Sequence, residues 1–252
     1  MKKIFLCLAV CTLALNSCED DNYYNNNQET LPKVSIETRN SYDDQAITKY
    51  LNDYYLDDKG NLKAFSDTDD SDDKYTKLAD LPHETLPSGV VYVVRPNAQP
   101  EPDAGTTIGD KDIIRLMGIS TTYVATKTDG VVSFESAYSF RNTITGTGTP
   151  EEDPAYYYVK NSVLKAANEK NGTSYDHSYY EIEGFREALQ HFKAFNMDDS
   201  ENYNLQGVII VPSRAAFARD PHYNYIGISL NDRSFVFNFQ VYKTSARPDN
   251  LD

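Results

Sequence analysis

The chain is expected to fold as an α+β domain, and three patterns carry that expectation. Gly184 is followed by Phe185, Ala188, Leu189 and Phe192, which with Ile182 share one helix face at spacings of three and four. Gly207 to Val211 is a short continuous apolar run closed by Pro212, the mark of a buried strand. Phe235, Phe237, Phe239 and Val241 alternate with Val236, Asn238, Gln240 and Tyr242, the period of a second strand. A helix with one apolar stripe followed by strands implies helix-on-sheet packing.

At the amino terminus, Lys2 and Lys3 precede an apolar run from Ile4 to Leu15, so residues 1–17 read as an export signal. The run is too short to span a bilayer, which takes roughly 20 residues. Leu15-Asn16-Ser17-Cys18 resembles a bacterial lipobox, which implies lipid on Cys18; an ordinary signal peptide cleaved near Ser17 is the competing reading. Glu19-Asp20-Asp21 is similar to the acidic surface-export tag of some Bacteroidetes lipoproteins. The expected location is the cell envelope, as an outer-membrane lipoprotein facing the periplasm or the surface. Cys7 and Cys11 leave with the signal, so the body has no thiol for a disulfide, a nucleophile or a metal.

Charge narrows the partners. The formal net charge of -14 becomes -16 when the signal removes Lys2 and Lys3, which argues against nucleic acid or an anionic membrane surface. Residues 18–42, rich in Asn and without apolar period, read as a lipid-anchored tether. Residues 43–85 read as a helical extension: Ile47, Tyr50, Leu51, Tyr54 and Tyr55 recur at helical spacing behind an acidic start, Asp43-Asp44. Its acidic stretch from Asp67 to Asp73 reads as a solvated loop, since it lacks the glycine and terminal glutamate of a calcium-binding loop.

Residues 86–245 form the main domain. Gly89 to Arg95 is a strand, Pro96 to Pro102 a Pro-rich turn, and Asp112–Met117, Thr121–Thr126 and Gly130–Glu135 are further strands. An insertion at about 140–178 holds a helix from Tyr156 to Asn168, and residues 246–252 are a tail. His83, His177, His191 and His222 are scattered without metal-ligand spacing, and Ser213 sits in no nucleophile elbow. The glycine pairs near Gly105 and Gly146 precede no lysine-bearing helix start. Hydrolase, kinase and metalloenzyme readings lack their residues, and no cofactor is expected.

Four short motifs occur in order. They are Asp129-Gly130 with Phe134-Glu135-Ser136; Ile182, Gly184, Phe185, Glu187 and Leu189; Pro212, Ala216 and Phe217; and the Phe235–Val241 alternation. Together they resemble the FKBP-type peptidyl-prolyl isomerases, with one extra residue between Gly130 and Phe134. The resemblance implies an antiparallel, curved sheet wrapped on one main helix. It also implies a pocket built from Phe134, Glu135, Ile182, Phe185, Phe217 and Phe237, in which the Ile182 N–H meets a substrate carbonyl.

Such a pocket needs no nucleophile. Rotation about an X-Pro bond has a barrier of roughly 20 kcal/mol, and apolar walls lower it by desolvating the imide and favouring its twisted form. Phe217 replaces a tyrosine whose hydroxyl bonds the peptide in the family, and Glu135 replaces an aspartate. Three readings follow: an envelope isomerase acting on proline-containing peptides or exported proteins; a non-catalytic peptide- or protein-binding lipoprotein; or a pocket filled by the chain's own Tyr157, Tyr158 or Tyr225. A monomer is expected.

Overall fold

The structure is a computed structural model that describes residues 33–99 and 105–248. The export signal, Cys18 and the first part of the tether lie outside the described residues. Ser35 caps the first helix, α1 (Ile36–Asp53), by accepting a hydrogen bond from the Thr38 N–H. Residues 36–42 are therefore helix, not tether. The polar sequence concealed this because two charged residues of the buried stripe, Arg39 and Asp43, find internal partners. Arg39 donates to the Ala125 carbonyl at 2.5 Å, and Asp43 accepts from the Ser213 N–H and hydroxyl at 2.9 and 2.5 Å.

A small hairpin follows, β1 (Tyr54–Leu56) and β2 (Leu62–Ala64), then β3 (His83–Thr85) and β4 (Val91–Val94). β5 (Thr106–Thr107) precedes two long strands, β6 (Ile113–Thr128) and β7 (Val131–Asn142). The strands expected at Asp112–Met117 and Thr121–Thr126 are thus one. β6 and β7 are joined at Asp129-Gly130, both at positive φ (51° and 85°), the geometry of a two-residue hairpin turn. The insertion contributes β8 (Glu151–Glu152) and α2 (Asn161–Asn171). Then come α3 (Glu183–Leu189), β9 (Lys193–Ala194), β10 (Gly207–Val211) and β11 (Ser234–Ser245).

The main sheet is antiparallel in the order β3-β4-β10-β11-β6-β7, with β8 paired to β6. Each face carries a helix. Ile47, Tyr50 and Leu51 of α1 pack on Val91, Val93, Val208, Ile210 and Val236. Phe185, Ala188 and Leu189 of α3 pack on the other face, against Ile209, Val211, Phe235, Phe237 and Phe239. This double cover explains why β11 is buried without a break from Ser234 to Tyr242 although its sequence alternates. α3 lies close on the sheet because residue 184 is glycine: a Cβ there would stand 2.7 Å from Val90 and 2.8 Å from Val211 and the Ala215 carbonyl. None of the helices among the described residues is long and apolar enough to cross a membrane.

Candidate functional site

The face of the sheet beneath α3 carries an aromatic cup. Phe237 lies directly opposite Ile209 on β10 and Ser120 on β6, so it projects from the middle of the sheet. Phe185 on α3 meets it with ring centroids 4.2 Å apart. Phe217, in the loop after the turn at Ser213–Ala215, reaches the same wall through Phe235 at 6.1 Å. The structure therefore unites Phe185, Phe217 and Phe237, which are all at most 2% exposed.

Phe134 and Glu135 lie elsewhere. Phe134 pairs with Ala125 and faces α1, with its ring 5.7 Å from Tyr50 and 5.3 Å from Tyr123. Phe134 and Phe140 are six residues apart and would share a face in a regular strand, but β7 shifts register against β6 between them, and a shift of one moves a side chain to the other face. Glu135 is exposed and accepts a hydrogen bond from the Ser133 hydroxyl at 2.8 Å. The aromatic that β7 does give to the cup is Phe140, 5.1 Å from Phe235. Ser136, at φ 49°, and the Arg233 guanidinium bonded to its carbonyl mark the irregularity between the two rings.

The remaining space is taken by the insertion. Tyr156 sits 5.7 Å from Phe237, 5.8 Å from Phe185 and 5.3 Å from Phe140, with 3% of its surface exposed. Its carbonyl accepts the Ile182 N–H at 2.8 Å. That is the donor expected to meet a substrate. A void of about 10 Å³ lies next to Phe237 and Tyr156, near the smallest space that holds one water.

No protein-family model matches this chain, and no curated protein does. The cup is therefore read from its own geometry. Tyr157 points away and donates its hydroxyl to the Asp112 carbonyl at 2.9 Å. Tyr225 closes the rim, 5.3 Å from Phe140 and 6.3 Å from Phe217, and donates to the Tyr180 carbonyl at 2.7 Å. Of the three tyrosines named as occupants Tyr225 lies at the cup, while Tyr156, the neighbour of Tyr157, fills it. The signal was the Tyr156-Tyr157-Tyr158 run, but which of three consecutive tyrosines points inward depends on the turn before them. That turn is set by Pro154, whose carbonyl accepts from the N–H groups of Tyr157 and Tyr158 at 2.8 and 3.1 Å. The turn also displaces the insertion's helix, expected at Tyr156–Asn168, to Asn161–Asn171.

Glu181 pins this arrangement. It is 1% exposed and accepts from the Val159 N–H at 2.8 Å and from Arg186 of α3 at 2.6 Å, with His177 Nδ1 2.8 Å away. Burial pushes the Tyr156 and Tyr225 phenols well above their ordinary value, because the ionised form cannot be solvated there. Among the described residues no group of three or more His, Cys, Asp or Glu side chains is placed to hold a metal.

Proposed function

We propose that this chain is a lipid-anchored, FKBP-like binding protein of the cell envelope that does not catalyse prolyl isomerisation. One observation carries the reading: the Ile182 N–H is bonded to the Tyr156 carbonyl at 2.8 Å while the Tyr156 ring packs beside Phe185 and Phe237. The insertion thereby makes both contacts that a bound peptide is expected to make, a carbonyl on the helix cap and a side chain in the aromatic cup. An antiparallel sheet with one helix against its aromatic face, and Phe185 tilted against Phe237 at 4.2 Å, supports the FKBP-like reading.

Magnitude decides against turnover. Pulling Tyr156 out exposes an aromatic side chain, a cost of about 2 kcal/mol in apolar burial alone. A tethered occupant also competes at an effective concentration of order millimolar, which a free peptide must exceed. With Phe217 lacking a hydroxyl and Phe134 and Glu135 both away from the cup, a displaced cup is short of three of its expected groups. The test is an exchange assay on a short X-Pro peptide with micromolar protein. The expected result is the uncatalysed rate, and acceleration by the unmodified protein overturns the reading.

A further inference from the structure

The main sheet ends in two unlike edges. β3, at one edge, is three residues long and flanked by Pro82 and Pro87, which blunts it against pairing with another chain. β7, at the other, runs for 12 residues without lysine or proline, and among the described residues no strand lies on its outer side. Two exposed large apolar residues stand on it, Val131 at 54% and Tyr138 at 42%. The register of β7 on β6 gives this edge a charge pattern. Glu135 lies opposite Val124, Tyr138 opposite Thr122 and Arg141 opposite Ser120; those β6 residues are two apart, so all three β7 side chains share one face. One extra residue in each interval of β7, a bulge on either side of Tyr138, sets their spacing at three. A carboxylate, a phenol and a guanidinium thus stand in line with the tyrosine at the centre. All three residues are exposed, and Arg233 packs 5.0 Å over the Tyr138 ring. Arg141 makes no ion pair among the described residues, and Glu135 accepts only from the Ser133 hydroxyl.

We infer that β7 pairs antiparallel with β7 of a second copy of this chain, about a two-fold axis at Tyr138. Charge complementarity selects this occupant. The two-fold sets Glu135 opposite Arg141 of the second copy, Arg141 opposite Glu135 of the second copy, and the two Tyr138 residues opposite each other. Opposed residues of an antiparallel pair project to the same face, which the shared face of these three satisfies. The bulges match as well, because the interval from 135 to 138 meets the interval from 138 to 141 of the other chain and each holds one extra residue. A slip of two residues either way sets both charges against uncharged residues, Thr143 and Ala137 or Ser139 and Ser133. Two ion pairs and one strand ladder make a small interface, so the association depends on concentration. The inference rests on the sheet edge alone and stands whether or not the cup turns over substrate.

Sedimentation velocity on the purified full chain is expected to show a reversible monomer–dimer equilibrium between about 1 and 300 µM. Arg141→Glu sets carboxylate against carboxylate at both ends of the ladder and is expected to weaken the dimer about tenfold or more, as is Glu135→Arg through its paired cations. Exposure of both residues spares the fold in either variant. Mixing the two variants is expected to restore a dimer, because each then meets the opposite charge at both ends. Amide hydrogen exchange locates the contact: protection between Phe134 and Asn142 should rise with protein concentration while β3 is unchanged. A monomer throughout the range, a dimer indifferent to both charge reversals, mixed variants that stay monomeric, or concentration-dependent protection at β3 each overturns the inference. Protection of β7 that requires an added envelope extract assigns the edge to a different protein and overturns it as well.

Discussion

Tyr156 has two roles, and they come from different parts of the residue. Its ring completes the aromatic packing and its carbonyl satisfies the N-cap residue of α3, whose N–H would otherwise be one of the unpaired donors at a helix start. Both roles depend on a neutral phenol in a dry site. With the folded-state ionisation of Tyr156 and Tyr225 pushed upward by burial, the folded chain keeps protons that the unfolded chain releases near pH 10. Stability from this source is full below about pH 10 and falls as pH rises beyond it. In an alkaline titration followed by tyrosinate absorbance and circular dichroism, these two residues should ionise only as the fold is lost. A full complement of tyrosinate in a still-folded protein would show the cup to be open. Residue chemistry also explains what the sequence concealed: Phe134 and Phe140 are equally aromatic, and only the register of β7 sends one to each face.

At the scale of elements, the insertion and α3 behave as one unit because Glu181 ties them. A buried carboxylate accepting from Val159, Arg186 and the His177 ring leaves three partners unmet when it is removed. Glu181→Ala should cost about 2 kcal/mol or more. Denaturant unfolding would measure this, and limited proteolysis should show earlier cleavage between Thr143 and Tyr180. Unchanged stability with unchanged cleavage would mean that the insertion is held by its tyrosines alone. The helical stripe of α3 and the strands β10 and β11 were legible because apolar period is a local property. α1 was legible only from Asp43 onward, since Arg39 and Asp43 count as polar until Ala125 and Ser213 appear beside them.

For the whole molecule, two helices on opposite faces of one sheet leave two features of opposite condition. Beneath α3 the aromatic cup is filled, and along β7 the sheet edge stays open. Anchoring by lipid on Cys18 would hold both near a membrane while the acidic body repels its anionic surface. Metabolic labelling with a radiolabelled fatty acid should mark the protein in a bacterial host, and Cys18→Ser should abolish the label and release the protein from the membrane fraction. Label retained on the serine variant would refute the lipobox reading.

By itself the sequence determined the α+β class, the core stripe of α3, the strands at β10 and β11 and the candidate aromatics, because each is written in the spacing of neighbouring residues. Tertiary structure alone decided which aromatics meet. One residue of register placed Phe134 and Phe140 on opposite faces, and a proline turn chose Tyr156 over Tyr157 as the occupant of the cup. The physical reason is that periodicity fixes which side chains share a face, whereas what fills the space above that face is supplied by segments distant in the chain.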